Sequence, residues 1–347
     1  MPHEGAPHRR TFLAWPSRRG EWGDLLDAVR AEVAGLVRTV AEYEPVALLT
    51  TDDDLAHAAT TVGGAAEVIP VPVDDLWVRD TGPTFVRTGT GVAGIDTRFN
   101  GWGGKQDHGR DGRVAERLLD HLAIPRLVAP VVTEGGSLEV DGAGTLMVTA
   151  SSIVNDNRNP CRARADLEAD LRSMLGVDHV IWMPGIAGGD ITDGHIDGLA
   201  RFVAPGHVVL NAPGPRADAE DRTLYRRARE TLAGAADAAG RALSVVELPE
   251  ADPRRTGPHG PDFLASYVNY SLLDGAVLVP AFGDPTADDR AAGLLHDLHP
   301  GRDVVQVRID ALAEGGGGIH CATQQQPAAA ADPSEATGAP RASRPPT

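Results

Sequence analysis

The sequence predicts an α/β fold made of repeated units arranged around a common axis. Two observations indicate this fold. Pairs of apolar strands joined by tight turns recur roughly every 50 to 70 residues, and helical patterns lie between the pairs. A polar turn containing glycine precedes each pair. In a radial arrangement, the polar turns at one end of each unit can converge on one site.

Four hairpin-like stretches carry this repeat. Asp-Gly between two apolar runs is a strong hairpin signal, and it occurs at residues 141–142 and 274–275. The four stretches cover residues 79–98, 134–149, 193–211 and 266–280. A fifth unit requires residues 11–16 from the N-terminal part of the chain and residues 315–323 from the C-terminal part. The predicted repeat is therefore closed by both ends of the folded chain.

Apolar residues at helical spacing predict five helices between these hairpins. They cover residues 22–43, 113–122, 164–175, 218–239 and 286–298. Because no Pro/Ser-rich linker interrupts residues 1–327, we expect them to form a single domain. Residues 328–347 contain almost no large apolar side chain, so we expect a disordered Ala/Pro-rich tail.

The composition narrows the class of protein. The 347 residues carry a net charge of −17, which argues against nucleic-acid binding and fits either a cationic substrate or simple solubility. Cys161 and Cys321 are the two cysteines, too few for a disulfide framework. The sequence shows neither a signal peptide nor an apolar run long enough to span a bilayer. We therefore expect a cytoplasmic protein with no membrane partner, and its oligomeric state stays open.

Cys321 is the candidate nucleophile. It follows the glycine run at residues 315–318 and lies beside His320. Glycine allows the backbone to approach a substrate closely, and a thiolate is a strong nucleophile when its pKa is lowered. The alternative is that Cys321 is a small buried side chain in a turn. On an extended segment, His320 would point away from it. Cys161 opens a helix and is expected to be inert.

If the polar turns converge, they gather Asp80, Glu134, His195, Asp197 and Cys321. Carboxylates match the planar guanidinium ion, and a cysteine beside a cation and an imidazole has a lowered pKa. The set therefore favours a cationic, planar carbon electrophile as substrate. Other interpretations remain: Asp80 could shape a turn, Glu134 could cap a strand, and His195 with Asp197 could bind a metal. A metal site needs a further ligand, and the sequence contains no HExxH motif.

Several motifs in one order link the chain to a known family. They are Pro7-His8, Thr11-Phe12-Leu13-Ala14-Trp15-Pro16, Asp75-Leu76-Trp77-Val78-Arg79-Asp80-Thr81-Gly82-Pro83, Phe99-Asn100-Gly101-Trp102-Gly103-Gly104, Glu134-Gly135-Gly136-Ser137, Asn157-Arg158-Asn159-Pro160, Thr192-Asp193-Gly194-His195-Ile196-Asp197 and Ile319-His320-Cys321 with Gln324-Gln325-Gln326-Pro327. On these residues the chain resembles the agmatine deiminases of the guanidino-group modifying (pentein) superfamily, which are related to arginine and peptidylarginine deiminases. Three positions depart from the family pattern: Gly5, Asp74 and the glycine-rich residues 185–190.

The resemblance implies a five-bladed α/β propeller with a central active site. It implies Cys321 as the nucleophile and His195 as the general acid and base. Asp80, Asp197 and Glu134 would hold the guanidinium or orient the imidazole. For the substrate-binding side chains the expectation is a pocket formed by Asp75, Trp77, Trp102 and Gly318, without a metal ion or organic cofactor. Core packing is the alternative for the two tryptophans.

The reaction implied by the resemblance is hydrolytic deimination through a covalent thiouronium. The expected substrate is agmatine, which would give N-carbamoylputrescine and ammonia, a step toward putrescine and other polyamines. Another guanidine, such as free or protein-bound arginine, or amidino transfer, is the alternative within this fold. A non-catalytic guanidine-binding module is the alternative outside enzymes, and it would need neither Cys321 nor His195.

Overall fold

The strands form five sheets in the computed structural model, which describes residues 1–17, 22–89, 91–215, 217–257 and 259–329. One sheet has four strands in the order β16-β1-β2-β3, and the other four sheets have three strands each. The strands are β1 His8–Ala14, β2 Val46–Leu49, β3 Glu67–Ile69, β4 Thr84–Thr88, β5 Gly91–Asp96, β6 Arg126–Val128, β7 Glu139–Val140, β8 Thr145–Thr149, β9 His179–Met183, β10 Ala200–Ala204, β11 His207–Asn211, β12 Ser244–Leu248, β13 Ser271–Leu273, β14 Ala276–Ala281, β15 Asp303–Arg308 and β16 Gln324–Pro327.

The helices that connect these strands follow the apolar spacing of the sequence. The described helices are α1 Leu26–Ala41, α2 Leu55–Val62, α3 Val78–Thr81, α4 Gly101–Gly104, α5 Val114–Leu122, α6 Ala150–Ile153, α7 Arg164–Leu175, α8 Ala219–Gly234, α9 Pro253–Thr256, α10 Pro285–Leu298 and α11 Asp310–Ala313. Helix α1 buries Val29, Val33 and Val37 on one face, as an amphipathic helix does against a core. Helix α10 begins after Asp284, whose side chain accepts hydrogen bonds from the first-turn amides.

Every sheet repeats one pattern. An antiparallel strand pair is followed by a helix and by a strand parallel to the second member of the pair, as in β4, β5, α5 and β6. The same order recurs for β7 to β9, β10 to β12 and β13 to β15. The strand–strand–helix–strand repeat predicted from the sequence is therefore confirmed, and its five units are consistent with the five-bladed α/β propeller that the resemblance implies.

The fifth unit joins the two ends of the folded chain. Strand β16 pairs antiparallel with β1, with Phe12 opposite Gln324 and Thr11 opposite Gln325. Strand β1 then pairs parallel with β2 across helix α1. Residues 315–323, which the sequence assigned to this unit, form its polar turn rather than its strand. The strand itself lies one segment later, at Gln324–Pro327.

Two predicted helices have different bounds in the structure. The helix predicted at residues 22–43 begins at Leu26, because Gly23 has a φ of 47° that an α-helix cannot continue. The helix predicted at residues 218–239 ends at Gly234, after which Ala235 is extended. Helix α2 and strand β3 extend the fifth unit and were absent from the sequence prediction.

The predicted tail at residues 328–347 lies outside the described residues, except for Ala328 and Ala329. Ala328 is anchored, since its N–H donates to the Pro7 carbonyl at 2.8 Å. Within the part of the chain that the structure describes, no helix has both the length and the apolar character needed to cross a bilayer.

Candidate active site

A cavity of about 520 Å³ opens where the polar turns of the units meet. The side chains and glycines that line it are Trp22, Leu25, Asp75, Trp77, Asp80, Trp102, Gln106, Gly189, Asp190, Ile191, Thr192, Pro261, Asp262, Phe263, Leu264, Glu314, Gly315, Gly316, Gly317 and Cys321. The wall therefore combines three tryptophans, a thiol and several carboxylates. The convergence of the polar turns, inferred from the repeat, is confirmed.

Cys321 lies on a turn in the glycine-rich segment, with its sulfur partly exposed to the cavity. The Sγ atom is 3.6 Å from Asp197 Oδ2, and Asn269 Nδ2 donates to it at 3.4 Å. The buried Asn269 amide oxygen also accepts from the Cys321 backbone N–H at 3.3 Å. These contacts fix the thiol at the cavity wall.

His195 lies behind the cavity between two carboxylates. Its Nε2 is 3.2 Å from Glu134 Oε2, and its Nδ1 is 3.6 Å from Asp80 Oδ2. Burial alone would lower the pKa of His195, but Asp80, Glu134 and Asp197 outweigh it and raise the pKa to about 9. The imidazole is therefore protonated at neutral pH in the empty site.

Asp80 is held at the end of short helix α3 by donors from its own unit and from the next one. Trp102 Nε1 donates to Oδ2 at 2.9 Å, and the Gly136 N–H donates to Oδ1 at 2.9 Å. A Cβ at Gly136 would lie 2.6 Å from His195 Nδ1, so only glycine lets the backbone approach the site this closely. Burial raises the pKa of Asp80, against the lowering effect of His195.

Asp197 connects the thiol to a second buried histidine. His320 Nδ1 is 2.7 Å from Asp197 Oδ2, and His320 Nε2 is 3.1 Å from Glu4 Oε2. Burial would raise the pKa of Asp197, but His320 outweighs it and lowers the pKa. Both ring nitrogens of His320 therefore face carboxylate oxygens. Asp197 is thus an ionised carboxylate beside the sulfur.

Glu134 is paired with a buried arginine. Arg158 Nε donates to both Glu134 oxygens, at 2.7 and 3.0 Å, and Arg158 Nη1 contacts Asp193 Oδ2 at 2.6 Å. Burial would raise the pKa of Glu134, and hydrogen bonds from His195 and the charge of Arg158 lower it instead. The carboxylate that orients His195 is therefore itself fixed in place.

Asp75 and Trp77 form the wall nearer the cavity mouth. Trp22 Nε1 donates to Asp75 Oδ1 at 2.8 Å, and Gln106 Nε2 donates to Asp75 Oδ2 at 3.2 Å. Gly317 lies flat on Trp77, since a Cβ there would be 2.3 Å from the ring. Burial raises the pKa of Asp75. Its hydrogen-bond donors are neutral, so the carboxyl is available to a cation in the cavity.

The thiol differs from the sequence-based expectation of a lowered pKa. Burial raises the pKa of Cys321 well above its ordinary value, and Asp197 and Asp80 raise it further. Hydrogen bonds from the Gly318 N–H and from Asn269 act in the opposite direction but do not outweigh these effects. The expectation assumed a cation beside the sulfur. Burial and the surrounding negative charge keep the thiol protonated.

The structure gathers all five predicted catalytic side chains. Asp80 and Cys321 lie at the cavity, whereas His195, Asp197 and Glu134 lie directly behind them. Of the four predicted substrate-binding residues, Asp75, Trp77 and Trp102 line the cavity. Gly318 lies instead behind the wall against Asn269, because a Cβ there would be 2.5 Å from the Asn269 oxygen.

Sequence reasoning missed the partners that fix these groups. Arg158 belongs to a motif used only for the family resemblance, and Asn269 belongs to the fourth hairpin. His320 was expected to point away from Cys321 on an extended segment. Residues 318–322 instead form a turn, with the Ala322 N–H donating to the Gly318 carbonyl at 3.1 Å. The His320 ring therefore reaches Asp197, next to the thiol.

Comparisons with known proteins agree with this geometry. The model of the Porphyromonas-type peptidyl-arginine deiminase family matches residues 1–327. An agmatine deiminase of Stutzerimonas stutzeri is 39% identical, over 94% of this chain and 95% of its own. An agmatine deiminase of Ectopseudomonas mendocina is 37% identical over the same shares. The solved structure of an Enterococcus faecalis agmatine deiminase superposes with a TM-score of 0.88 at 27% identity, over 94% of this chain and 95% of that chain.

Proposed function

Since this chain belongs to the Porphyromonas-type peptidyl-arginine deiminase family, we propose that it is a deiminase that hydrolyses agmatine to N-carbamoylputrescine and ammonia. The observation that carries this proposal is the arrangement of one thiol and one protonated imidazole around buried carboxylates at a single cavity. Guanidinium is the ligand that such carboxylates match in charge and shape. Agmatine deiminases are also the relatives that this chain resembles along almost its whole length.

The carboxylates bind the guanidinium in this proposal. Asp80 lines the cavity beside Cys321, and Asp197 Oδ2 lies 3.6 Å from Cys321 Sγ, so a guanidinium held by these carboxylates has its central carbon next to the sulfur. Trp77 and Trp102 cover the cation and exclude water, and an aromatic face also attracts a cation. Preorganised positioning of this kind supplies about 7 kcal/mol or more in well-aligned sites.

Substrate binding also activates the nucleophile. The negative charge of Asp197 and Asp80 raises the pKa of the Cys321 thiol in the empty site. A guanidinium ion between them offsets this charge, so the pKa of the thiol falls when substrate is bound. The thiol passes its proton to a water molecule in the complex, and the thiolate sulfur attacks the guanidinium carbon.

His195 then acts as the general acid. The imidazolium donates its proton to one amino nitrogen of the tetrahedral intermediate, and that C–N bond breaks to release ammonia. A thiouronium cation remains, covalently bound to Cys321. His195 is now a neutral base, held by Glu134.

Hydrolysis completes the cycle. Neutral His195 takes a proton from water as the water oxygen bonds to the thiouronium carbon. The C–S bond breaks with the electron pair returning to sulfur, which takes a proton back from water, and the hydroxyl on the former guanidinium carbon loses its proton to ammonia to become the carbonyl. The products are a ureido compound and ammonium, with His195 protonated again.

The cavity favours a guanidine with a cationic far end. Asp75, Asp190, Asp262 and Glu314 line it in addition to Asp80. Free arginine carries an α-carboxylate, which these groups repel. Arg79 is absent from the wall, because its guanidinium points to Gln325 and the His320 carbonyl. The cation at the rim, Lys105, is bound to Asp193.

Ammonia release from agmatine and from arginine tests this proposal. We expect kcat/KM for agmatine to exceed that for arginine at least about a hundredfold, roughly 2.7 kcal/mol of discrimination. Asp75→Asn should raise KM for agmatine, since it removes a negative charge from the wall. Equal rates, or preference for arginine or an arginine-containing peptide, would contradict the agmatine assignment. Binding of agmatine without any ammonia release would support a non-catalytic guanidine-binding module instead.

We further propose that residues 1–327 act as one catalytic domain and that the protein works in the cytoplasm. Cys161 and Cys321 are both free, which fits a reducing compartment. Cell fractionation would test the location, and turnover by a chain ending at residue 329 would test the domain.

A further inference from the structure

Lys105, the only lysine of the chain, makes a complete set of contacts across the cavity rim. Its Nζ contacts Asp193 Oδ1 at 2.8 Å and donates to the carbonyl oxygens of Ile191 at 3.0 Å and Asp190 at 3.3 Å. An ammonium group has three donors, and each has one acceptor here. The side chain is nonetheless 31% exposed, so its role is not to fill the core.

These contacts join two segments that line the cavity. Lys105 directly follows α4, which carries Trp102, and Gln106 is the next residue. Asp190 and Ile191 line the cavity as well. Their segment is rich in glycine, which loses more conformational freedom on folding than other residues. Lys105 therefore ties the turn that carries Trp102, a donor to Asp80, to the segment that leads to His195.

The anchored segment positions the imidazole through its backbone. The His195 N–H donates to Thr192 Oγ1 at 3.0 Å, and the Gly194 N–H donates to Asp190 Oδ1 at 3.1 Å. The Gly188 N–H donates to Asp193 Oδ1, the same oxygen that Lys105 contacts. Residues 188–195 thus form a hydrogen-bonded loop with Lys105 as its link to α4.

The same lysine begins a row of alternating charges that ends at His195. Lys105 contacts Asp193, Asp193 contacts Arg158 at 2.6 Å, Arg158 contacts Glu134 at 2.7 Å, and Glu134 Oε2 lies 3.2 Å from His195 Nε2. Burial would raise the pKa of Asp193, but hydrogen bonds from Lys105, Asn157 and Arg158 lower it. Each member is held by charges on both sides, which restricts its movement.

We propose that Lys105 is a positioning residue for the deimination reaction: it ties the α4 turn to residues 190–193 and thereby sets the place of His195 through both the loop backbone and the Asp193–Arg158–Glu134 row. This inference rests on the proposed function, because it assigns Lys105 to the geometry of that reaction. Lys105 does not touch the reacting atoms. It acts before the chemistry by fixing the distance between the general acid and the guanidinium site.

Substitution of Lys105 separates this role from a general effect on stability. In Lys105→Met the stem remains and the ammonium is lost. We expect kcat for agmatine to fall at least about tenfold, with a smaller change in KM, because misplacement of a catalytic group by about 1 Å costs up to a hundredfold. Lys105→Arg should recover part of the loss, since it restores the charge but not the three divergent donors.

Arg241→Met is the matched control. Arg241 is 53% exposed and forms one ion pair with Asp237 at 2.7 Å, so it loses a comparable surface contact. We expect its kcat to stay within twofold of the unsubstituted protein. A fall in kcat of equal size in both variants would overturn the proposal, because any surface ion pair would then have the same effect.

Amide hydrogen exchange provides a readout that does not need turnover. In Lys105→Met the amides of Gly188, Gly194 and His195 should exchange at least about tenfold faster, while those of β14 stay unchanged. Unchanged exchange in this loop, or faster exchange with unchanged kcat, would each overturn the proposal. Failure of the unsubstituted protein to release ammonia from any guanidine would contradict the proposed function instead, and the exchange result would still decide whether Lys105 holds the loop.

Discussion

The chemistry of this protein depends on a few side chains whose charge is set by burial. Cys321 is surrounded by carboxylates that keep its thiol protonated, while the same carboxylates keep His195 protonated. A cationic substrate would offset the negative charge of these carboxylates. A protein whose nucleophile becomes reactive only beside its substrate is protected from oxidation and alkylation in its resting state.

Replacing the nucleophile tests its role directly. Cys321→Ser should lower ammonia release by about a thousandfold or more, because a serine hydroxyl is a much weaker nucleophile without a dedicated base. Circular dichroism should show an unchanged fold. Cys161→Ser is the control: Cys161 is exposed and does not line the cavity, so the activity of this variant should match that of the unsubstituted protein. Near-full activity of Cys321→Ser would remove Cys321 from the mechanism.

The protonation of His195 is a second expectation at this scale. Its pKa of about 9 lies above the ordinary value of 6.5. The resulting contribution to folding stability is complete below about pH 6.5 and is lost as the pH rises through about 9. NMR of the ring nitrogens should show His195 charged at pH 8, and Glu134→Gln should lower its pKa. A neutral His195 ring at pH 7 would contradict this interpretation.

The charge on Asp80 also governs the thiol. Asp80→Asn removes one of the two carboxylates that raise the pKa of Cys321, so the thiol should react faster with iodoacetamide at pH 8. Mass spectrometry at the residue level would separate this reaction from that of Cys161, whose rate serves as the internal reference. Slower alkylation of Cys321 in Asp80→Asn would contradict the electrostatic account.

At the scale of the elements, glycines decide how closely the turns approach the site. A Cβ at Gly136 would lie 2.6 Å from His195 Nδ1 and 2.9 Å from Asp80 Oδ1. Gly136→Ala must therefore displace His195, the proposed general acid, or Asp80, the proposed guanidinium ligand. The backbone at Gly136 can therefore approach both His195 and Asp80 only because it carries no side chain.

We expect Gly136→Ala to lower kcat/KM by about a hundredfold. Gly35→Ala in α1 is the matched control, because nothing lies within 4 Å of its Cβ position. There the substitution should raise the free energy of unfolding by about 0.5 to 1 kcal/mol and leave activity unchanged. Thermal melts with ammonia-release assays would measure both. Normal activity in Gly136→Ala would show that the site tolerates the extra methyl group.

At the scale of the whole molecule, the chain ends close the propeller. Strand β16 pairs with β1, and Gln324 Nε2 donates to the Pro83 carbonyl at 2.7 Å. Because Cys321 lies just before β16, this closure also positions the nucleophile. Catalytic geometry and global stability are therefore linked at this sheet.

Two truncations separate the strand from the segment beyond it. Removing residues 324–347 should lower the urea midpoint of unfolding sharply and abolish activity, since β1 loses its antiparallel partner. Removing residues 330–347 should change neither, because their composition offers little apolar surface to bury. A large drop in the midpoint after the shorter truncation would show that the tail contributes to folding.

The sequence alone determined the repeat, the chemical groups and the family. Asp-Gly turns at residues 141–142 and 274–275 indicated hairpins, and helical spacing located α7 at both ends, because these signals are local. The tertiary structure alone decided how the groups act. The His320–Asp197 contact, the anchoring of Cys321 by Asn269 and the bridge made by Lys105 join residues that are far apart in the chain. The pKa values of Cys321 and His195 depend on burial and on charges from other units. Local sequence periodicity predicts neither the burial nor these charges.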